Sequence, residues 1–578
     1  MRTPLVLSVL LVCMSHFLPV RAASFDCSKA ATWIEVTICD HEELSLQDDL
    51  LAKTYREVLS LPENAAEQKA RQRHWLSSVR NNCTDASCLS TVYSERIREL
   101  REIALPQNEH RSCSGDLKRV LDLASAVDGQ IPETARSTKY GQLNDGSLNY
   151  GGYWLRTDIS LVYARSRCWQ SARELIGKIG QDGLQEGANA SLSIEYAKAG
   201  HFGPAIDVLD SLKSEEAFSA SAYGIAEALV SAGRVEQARE VIMRVTTRWR
   251  HLESPSYWLI NALVKAGRVN DAEKMIKGVN HTWNEYLLLA DAYMKAGKKR
   301  NAESHIQKAI NMAGDDPDAV AHIKGWTAYI YIEAKEFEKA YKAASEIPRP
   351  LGKVQAYLRL AEGLHRASRD QNADKVYAKA VATAEAIAGS EIGSACTFIS
   401  ESYGRTGNVK MVLSTVATMC PNKPTKSVAL GRAINELAKL GDLDGSQTLQ
   451  SMLDWRNDAD GPIAAALARK GSYEQAAEMA RGISNEFIRS DTVRRMASLK
   501  PPPKVVALWL EDTKTFKRDE NRAASVQVLT AALARSKNSA DAIAWLEPQP
   551  PDLAKGRGYL GIAQGMLGIV PGKGSPGD

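Results

Sequence analysis

The sequence contains no run of eighteen apolar residues, so it offers no segment long enough to cross a bilayer as a helix. It also lacks a strong excess of charge, with 73 Lys and Arg against 69 Asp and Glu. The basic residues are scattered and form no block, unlike those of a protein that binds nucleic acid. We therefore expect no membrane span and no nucleic-acid partner.

Sequence patterns of catalysis are missing as well. The ten histidines are dispersed, and none forms a His-x-x-x-His pair of the kind that binds metal. The segment "PGKGSPG" near the end contains glycine and lysine, but no strand precedes it and no helix follows it, so it is not a phosphate-binding loop. The sequence predicts no catalytic residue, no cofactor and no metal, and therefore a protein that is not an enzyme.

The first 22 residues, "MRTPLVLSVLLVCMSHFLPVRA", have the pattern of a signal peptide. Arg2 comes early, an apolar run follows from Pro4 to Met14, and Ala22 and Ala23 offer small residues for cleavage. Cys13 raises a lipoprotein alternative, but Val12 is a poor residue for that processing. We expect residues 1–22 to be removed and the mature chain to be periplasmic or secreted.

Cysteine is scarce but even in number after removal of that segment, which takes Cys13 with it. An even number of cysteines in an exported chain indicates disulfides. Neither Cys27 with Cys39 nor Cys83 with Cys88 has the two-residue spacing that structural zinc favours. The eight expected disulfide cysteines are Cys27, Cys39, Cys83, Cys88, Cys113, Cys168, Cys396 and Cys420.

A short phrase recurs along most of the chain: "EALVSAGRVEQAREVI" at 227–242 returns as "NALVKAGRVNDAEKMI" at 261–276. A small residue marks each copy, at intervals of 30 to 39 residues and a mean of about 34, which is the period of a helical hairpin. A glycine usually stands five residues earlier. The marked positions are Ala172, Ala205, Ala238, Ala272, Ala302, Ala340, Ala373, Val412, Ser446, Ala476, Ala507 and Ala542.

Glycine suits this place because a left-handed residue just after a helix satisfies its last carbonyls without a Cβ clash. Each unit is thus predicted to be helix, tight turn, helix, and "GRVEQAREVI" resembles the second half of tetratricopeptide repeats. Lys335, Ser368 and Lys537 depart from the glycine pattern. Since a lone hairpin cannot bury its apolar stripe, we expect an open α-solenoid of about twelve hairpins over residues 153–569, with a concave binding face.

The spacing of two cysteines tests this assignment of helices and turns. Cys396 lies eleven residues before Gly407, and Cys420 lies twelve residues after Asn408. These are mirror positions about one turn, so both should lie roughly 16–18 Å from it on adjacent helices. The sequence predicts a Cys396–Cys420 disulfide and, by elimination, Cys113 with Cys168.

Residues 23–105 differ from the repeats because they are dense in charge and hold four cysteines. A helix is expected to start at Asp40, and two more helices follow. One ordered set of residues in this segment is typical of a known family: Phe25, Asp26, Cys27, Glu35, Ile38, Cys39, Leu44, Asp48, Leu51, Tyr55, Arg56, Gln72, Arg73, Trp75, Leu76, Arg80, Cys83, Cys88, Leu89, Tyr93, Arg96, Ile97 and Leu100. With these residues the segment resembles the N-terminal domain of the LprI-type lysozyme inhibitors, which implies a small exported helical domain that binds lysozyme.

The four cysteines of this domain permit three pairings, of which we favour Cys27–Cys88 with Cys39–Cys83 without a geometric argument. The domain has fourteen acidic against ten basic residues, so it is the acidic part of the chain. An acidic surface could steer a cationic lysozyme, although acidic residues also suit a helix N-terminus. The candidate partner-binding acids are Asp40, Glu42, Glu43, Asp48 and Asp49.

Between the two parts, residues 106–152 are expected to form a linker with one short helix near 116–127, and residues 570–578 a disordered tail. Tyr153 and Trp154 are candidate partner contacts at the start of the repeats, although packing of the linker is an alternative. The sequence as a whole predicts an all-α, exported, non-enzymatic binding protein. Its expected partner is a protein or peptide of the bacterial envelope; the alternative is a lysozyme inhibitor acting through the acidic domain.

Overall fold

The computed structural model describes residues 24–59, 65–86, 88–93, 95–97, 99–100, 115–131, 153–248, 255–276, 282–454 and 457–571. The expected signal peptide, most of the linker and most of the tail lie outside these residues. The chain divides into two compact units, Met1–Arg111 and Ser112–Asp578. All regular structure in the described residues is helical, which confirms the all-α fold class.

The first unit, here called the head, contains three helices with well-defined bounds and a fourth helical stretch among the residues described between 86 and 100. The apolar side chains of Ile38, Leu89 and Tyr93 are fully buried in its core. Helix α1 ends at Asp40 and α2 begins at Glu42, so the expected helix start at Asp40 is wrong. The helices are α1 Trp33–Asp40, α2 Glu42–Leu59, α3 Ala65–Ser78 and α4, a name used here only for the helical residues described at 86, 88–93, 95–97 and 99–100.

Two local disulfides close the head, Cys27–Cys39 with Cα atoms 5.8 Å apart and Cys83–Cys88 with Cα atoms 5.5 Å apart. The pairing favoured from the sequence, Cys27–Cys88 with Cys39–Cys83, is therefore wrong. The physical reason is local: a short 3-10 turn and α1 fold residues 27 to 39 back on themselves, and a second 3-10 turn does the same before Cys88.

The second unit, here called the array, starts with α5, Gly115–Gln130, which covers the helix expected near 116–127. Twelve hairpins follow among the described residues, as predicted, each with a first helix A and a second helix B. The A helices are α6 Tyr153–Arg165, α8 Asp182–Lys198, α10 Glu215–Ser231, α12 Pro255–Lys265, α14 Trp283–Lys295, α16 Pro317–Glu333, α18 Pro350–Arg366, α20 Glu391–Arg405, α22 Lys423–Leu440, α24 Asn457–Arg469, α26 Glu486–Ser498 and α28 Asp519–Arg535.

The B helices are shorter on average and pack beside their A partners. They are α7 Trp169–Ile176, α9 Phe202–Ser211, α11 Val235–Arg248, α13 Val269–Ile276, α15 Lys299–Ala313, α17 Phe337–Ser345, α19 Asp370–Glu385, α21 Val409–Thr418, α23 Leu443–Gln450, α25 Tyr473–Gly482, α27 Pro503–Asp512 and α29 Ser539–Leu546. A single helix, α30 Leu553–Met566, ends the array.

Every A-to-B turn contains one residue of positive φ, whether or not it is glycine. Seven turns use glycine, and Arg167, Lys335, Ser368, Lys500 and Lys537 take the same conformation in the other five. The crossing position behind the turn is buried as expected, from Ala172 through Ala542, with one exception. At the eleventh hairpin Val506 is buried and Ala507 is exposed, because the Pro501–Pro502 turn is one residue longer.

These turns predict opposite effects for two glycine-to-alanine substitutions. Gly200 has φ +84° at a turn, whereas Gly325 lies inside α16, and a Cβ added at either meets nothing within 4 Å. Gly200→Ala should lower the free energy of unfolding by about 1 kcal/mol, because left-handed backbone is costly for alanine. Gly325→Ala should raise it by roughly 0.5–1 kcal/mol. Urea denaturation checks both, and effects of the same sign would contradict the account.

The Cys396–Cys420 disulfide is confirmed, with its Cα atoms 5.4 Å apart. It joins the middle of α20 to the end of the same hairpin, which verifies the register read from the sequence. Cys168 is also disulfide-bonded, and its expected partner Cys113 lies outside the described residues.

The two ends of the array are in contact, so the expectation of an open solenoid is wrong. Helix α30 packs on α28 on one side and on α5 and α6 on the other. The buried guanidinium of Arg557 forms an ion pair with Asp158 of α6, 399 positions earlier. A Cβ at Gly556 would approach the Leu155 side chain to 2.7 Å, which shows how closely α30 meets α6. Each A helix packs on the next, and α30 completes the circuit.

Candidate functional site

The acidic residues predicted to form one surface of the head differ in their exposure. Asp40 and Asp49 are exposed, whereas Asp48 is buried. Asp48 accepts hydrogen bonds from the Tyr93 hydroxyl and the Ser24 backbone N–H, each at 2.9 Å. Burial, together with the neighbouring Asp48 carboxylate, raises the pKa of Tyr93. Asp48 is thus an acceptor inside the head, and its inclusion in a partner surface is corrected.

The remaining predicted residues lie where the structure describes backbone only. Glu42 begins α2, Glu43 follows it, and Tyr153 begins α6 with Trp154 next, but the positions of these four side chains are outside the description. Asp40 and Asp49 are therefore the predicted acids that the structure places at the surface.

An exposed apolar face on α1 was missed by the sequence interpretation. The Trp33 side chain is 50% exposed, and Val36, one turn later, is also exposed. Both lie opposite Ile34 and Ile38, which enter the core. The spacing of Trp33, Val36 and Asp40 at i, i+3 and i+7 was the available signal, because it places them on one side of a helix.

On the array, the described surface of four consecutive A helices, α20, α22, α24 and α26, forms one pocket of about 560 Å³. Its floor is α24, which presents only Gly461 and Pro462. The longer side chains of α22 and α26 rise on both sides. We call this feature the A-face pocket; its charged lining residues are Glu401, Arg405, Arg432, Glu436, Lys439, Asp491 and Arg495.

Ion pairs run between neighbouring A helices at one end of the pocket. Arg405 binds Glu362 of α18 at 3.1 Å and Glu436 of α22 at 3.6 Å, and it also pairs with Glu401 on its own helix. Partial burial would lower the pKa of Arg405, but the three carboxylates outweigh it and raise the pKa. The guanidinium therefore links three successive A helices.

A second set of contacts crosses the pocket floor. Arg495 of α26 donates to Asp491 at 2.7 Å and to the Asn435 amide oxygen of α22 at 3.3 Å, passing over α24. Burial favours a higher pKa for Asp491, but the adjacent guanidinium groups of Arg495 and Arg494 hold it below its usual value. Asp491 is thus ionised at neutral pH, and the floor residues are recessed between two polar walls.

The opposite side of the pocket is apolar. Phe487 at the start of α26 is exposed, and Ile488 and Pro462 lie beside it. Ion pairing, hydrogen bonding and apolar contact are thus all available to a ligand within one cavity. The sequence signal was Gly461–Pro462 inside a predicted helix, but the recess it makes depends on the neighbouring helices.

Aromatic residues recur on the A helices, and the structure divides them between the core and the surface. Tyr196, Tyr293 and Tyr403 are buried, whereas Trp258 and Tyr329 are exposed. Tyr223 is partly buried and stacks on Trp258 with ring centroids 4.8 Å apart.

The described residues contain no group of three or more His, Cys, Asp or Glu placed to hold a metal ion. None of the helices in this part of the chain is long and apolar enough to cross a membrane.

The hairpins define a helical-repeat protein with a small disulfide-bonded helical domain at its front. Residues 27–100 of that domain match the family model for lysozyme inhibitor LprI, which confirms the resemblance seen in the sequence. Residues 259–278 match the model for a pentatricopeptide (PPR) repeat. Both families are non-catalytic kinds. A search of curated proteins gave no match to this chain.

Solved structures similar to the chain are helical proteins of low identity. The maize pentatricopeptide repeat protein PPR10 is 16% identical over 78% of this chain and 71% of its own, with a TM-score of 0.29. The human IFIT1 dimer with PPP-AAAA is 13% identical over 75% and 94%, with a TM-score of 0.25. The APC/C hetero-tetramer Cut9–Hcn1 is 13% identical over 91% and 96%, with a TM-score of 0.20. The fold assignment rests on the hairpins themselves.

Proposed function

We propose that this chain is an exported, non-enzymatic binding protein of the bacterial envelope whose array holds a protein or peptide partner in the A-face pocket. The observation that carries the proposal is the pocket itself, where charged and apolar side chains from four helices line one cavity. Repeat arrays use surfaces of this kind to bind extended ligands. The signal-peptide pattern and the even number of cysteines support export.

A photocrosslinking amino acid placed at position 431 tests the proposal in cells. Gly431 lines the pocket, and a Cβ added there meets nothing within 4 Å. We expect discrete protein or peptide adducts after irradiation. The matched control is position 307, an exposed residue of the B helix α15. Equal adducts at both positions, or none at 431, would contradict a partner in the pocket.

A second candidate function, inhibition of lysozyme by the head, is favoured by the LprI match and by the exposed α1 face. Trp33 and Val36 supply apolar contact there, and Asp40 lies on the same side of the helix. Asp49 adds a second exposed acid on α2. A cationic lysozyme would be attracted to this surface in a salt-sensitive way.

We expect the full chain to slow cell-wall lysis by a cationic lysozyme at low salt, and the Asp40→Asn, Asp49→Asn double variant to raise the half-inhibitory concentration about fivefold. The control is Glu216→Gln with Glu236→Gln, which changes net charge equally at exposed sites of the array. Full-chain protein that gives no inhibition at micromolar concentration would remove this candidate. Equal weakening by both pairs would assign the effect to net charge.

A further inference from the structure

We propose that the A-face pocket selects extended peptide that carries a carboxylate side chain next to an aliphatic one, an inference that rests on the proposed function. The partner class follows from which charges a ligand meets first. Four cationic residues line the pocket, Arg405, Arg432, Lys439 and Arg495, against three carboxylates. The excess of positive charge is small, so the charge that a ligand meets depends on which of these side chains are more exposed.

The carboxylates of the pocket lie deeper than the cations. Glu401 is 16% exposed, whereas its partner Arg432 is 51% exposed. Asp491 is 28% exposed, whereas its partner Arg495 is 42% exposed. An incoming chain therefore contacts guanidinium groups while the carboxylates hold them from behind.

Both guanidinium groups have donors to offer. Each arginine carries five N–H donors in a planar fork. Arg432 donates through Nη1 to Glu401, and Arg495 donates through Nε to Asp491 and through Nη1 to Asn435. Since Asn435 is one turn from Arg432 on α22, the two forks point into the same space. A carboxylate between them would gain bidentate, charge-assisted hydrogen bonds.

The apolar side sets the neighbouring residue of the ligand. Phe487, Ile488 and Pro462 form a surface that an aliphatic side chain can cover. A cavity of about 560 Å³ suits a few residues of chain rather than a folded domain. Nucleic acid fits poorly, because its closely spaced phosphates would meet Glu401, Glu436 and Asp491 as well as the cations.

Fluorescence anisotropy with the full chain tests this selection. The probes are three labelled octapeptides of alternating Leu with Glu, Gln or Lys, and a labelled eight-residue oligothymidine. We expect the Glu peptide to bind at least tenfold more tightly than the Gln peptide at 50 mM NaCl, and this ratio to shrink at 0.5 M NaCl. The Lys peptide should not bind.

Three variants assign the binding to the pocket. Gly431→Trp places an indole in the cavity from a position whose Cβ meets nothing within 4 Å, and Arg432→Gln with Arg495→Gln removes the two forks. Each should weaken the Glu peptide at least tenfold. The control, Arg239→Gln with Arg244→Gln, removes two exposed arginines of α11 and should leave binding unchanged. This matched pair separates the pocket from net charge.

The outcomes separate this inference from the proposed function. Equal binding of the Glu and Gln peptides, both blocked by Gly431→Trp, would overturn the selection while supporting a peptide-binding pocket. No binding of any octapeptide would overturn the inference, and adducts at position 431 would then keep the proposed function standing. Tighter binding of oligothymidine than of the Glu peptide would overturn the partner class.

Discussion

Gly561→Leu should detach α30 and open the array, which is the largest effect we expect from a single substitution. A Cβ at position 561 would lie 2.2 Å from the carbonyl oxygen of Gln527 and 2.4 Å from the Thr530 hydroxyl oxygen, both on α28. The carbonyl belongs to helix backbone and cannot rotate away. Overpacking typically costs about 1–3 kcal/mol, and contact with fixed backbone places this variant at the upper end of that range.

The contact between α28 and α30 also holds the two ends of the array together. Thr530 donates to the carbonyl of Gly558 at 2.9 Å, and Gly565 approaches the carbonyl of Ala531 as closely as Gly561 approaches α28. If α30 moves off α28, Arg557 loses its place beside Asp158, and a buried ion pair is broken. The ends of the array then have no shared helix.

Hydrogen exchange and limited trypsin digestion measure the opening. In the native chain Arg557 is buried, so cleavage there should be slow; in Gly561→Leu it should become fast, with rapid exchange along residues 553–566. Gly325→Leu is the control, because a Cβ at 325 meets nothing within 4 Å. Slow exchange of α30 in the Gly561 variant would contradict the closure.

The hairpins could be predicted because each carries its own signal. A turn residue that ends helix A and a small residue at the crossing recur in the sequence, and both act within one hairpin. Lys335, Ser368 and Lys537 break the glycine pattern yet adopt positive φ. Packing of the two helices evidently fixes the turn more strongly than the residue preference does.

The contact between the two ends of the array and the A-face pocket could not be predicted in the same way, because each brings together residues of different hairpins. Asp158 and Arg557 carry no mutual signal in the sequence, although the glycines at 558, 561 and 565 mark one side of α30 for close approach. The pocket arises because Pro462 lies low between α22 and α26. The predicted cysteine pairing of the head was wrong for the opposite reason: each observed disulfide joins two cysteines that are closer in the sequence than expected.

Asp48→Leu should destabilise the head while leaving the array unaffected. The substitution removes the acceptor of the Tyr93 hydroxyl and of the Ser24 N–H, so the buried hydroxyl proton of Tyr93 loses its Asp48 acceptor. An unsatisfied buried donor costs about 1–3 kcal/mol. A domain of this size has only about 3–5 kcal/mol from its core, so the loss should remove a large part of its stability.

Asp49→Leu is the matched control, because the adjacent carboxylate is exposed and its replacement should change stability by less than about 0.5 kcal/mol. Trp75 of α3 contacts Tyr93 edge-on, with ring centroids 5.2 Å apart, so hydrogen exchange along α3 reports on this part of the head separately from the array. We expect faster exchange along α3 in Asp48→Leu, and unchanged exchange in the array. Equal exchange along α3 in Asp48→Leu and Asp49→Leu would contradict the structural role of Asp48.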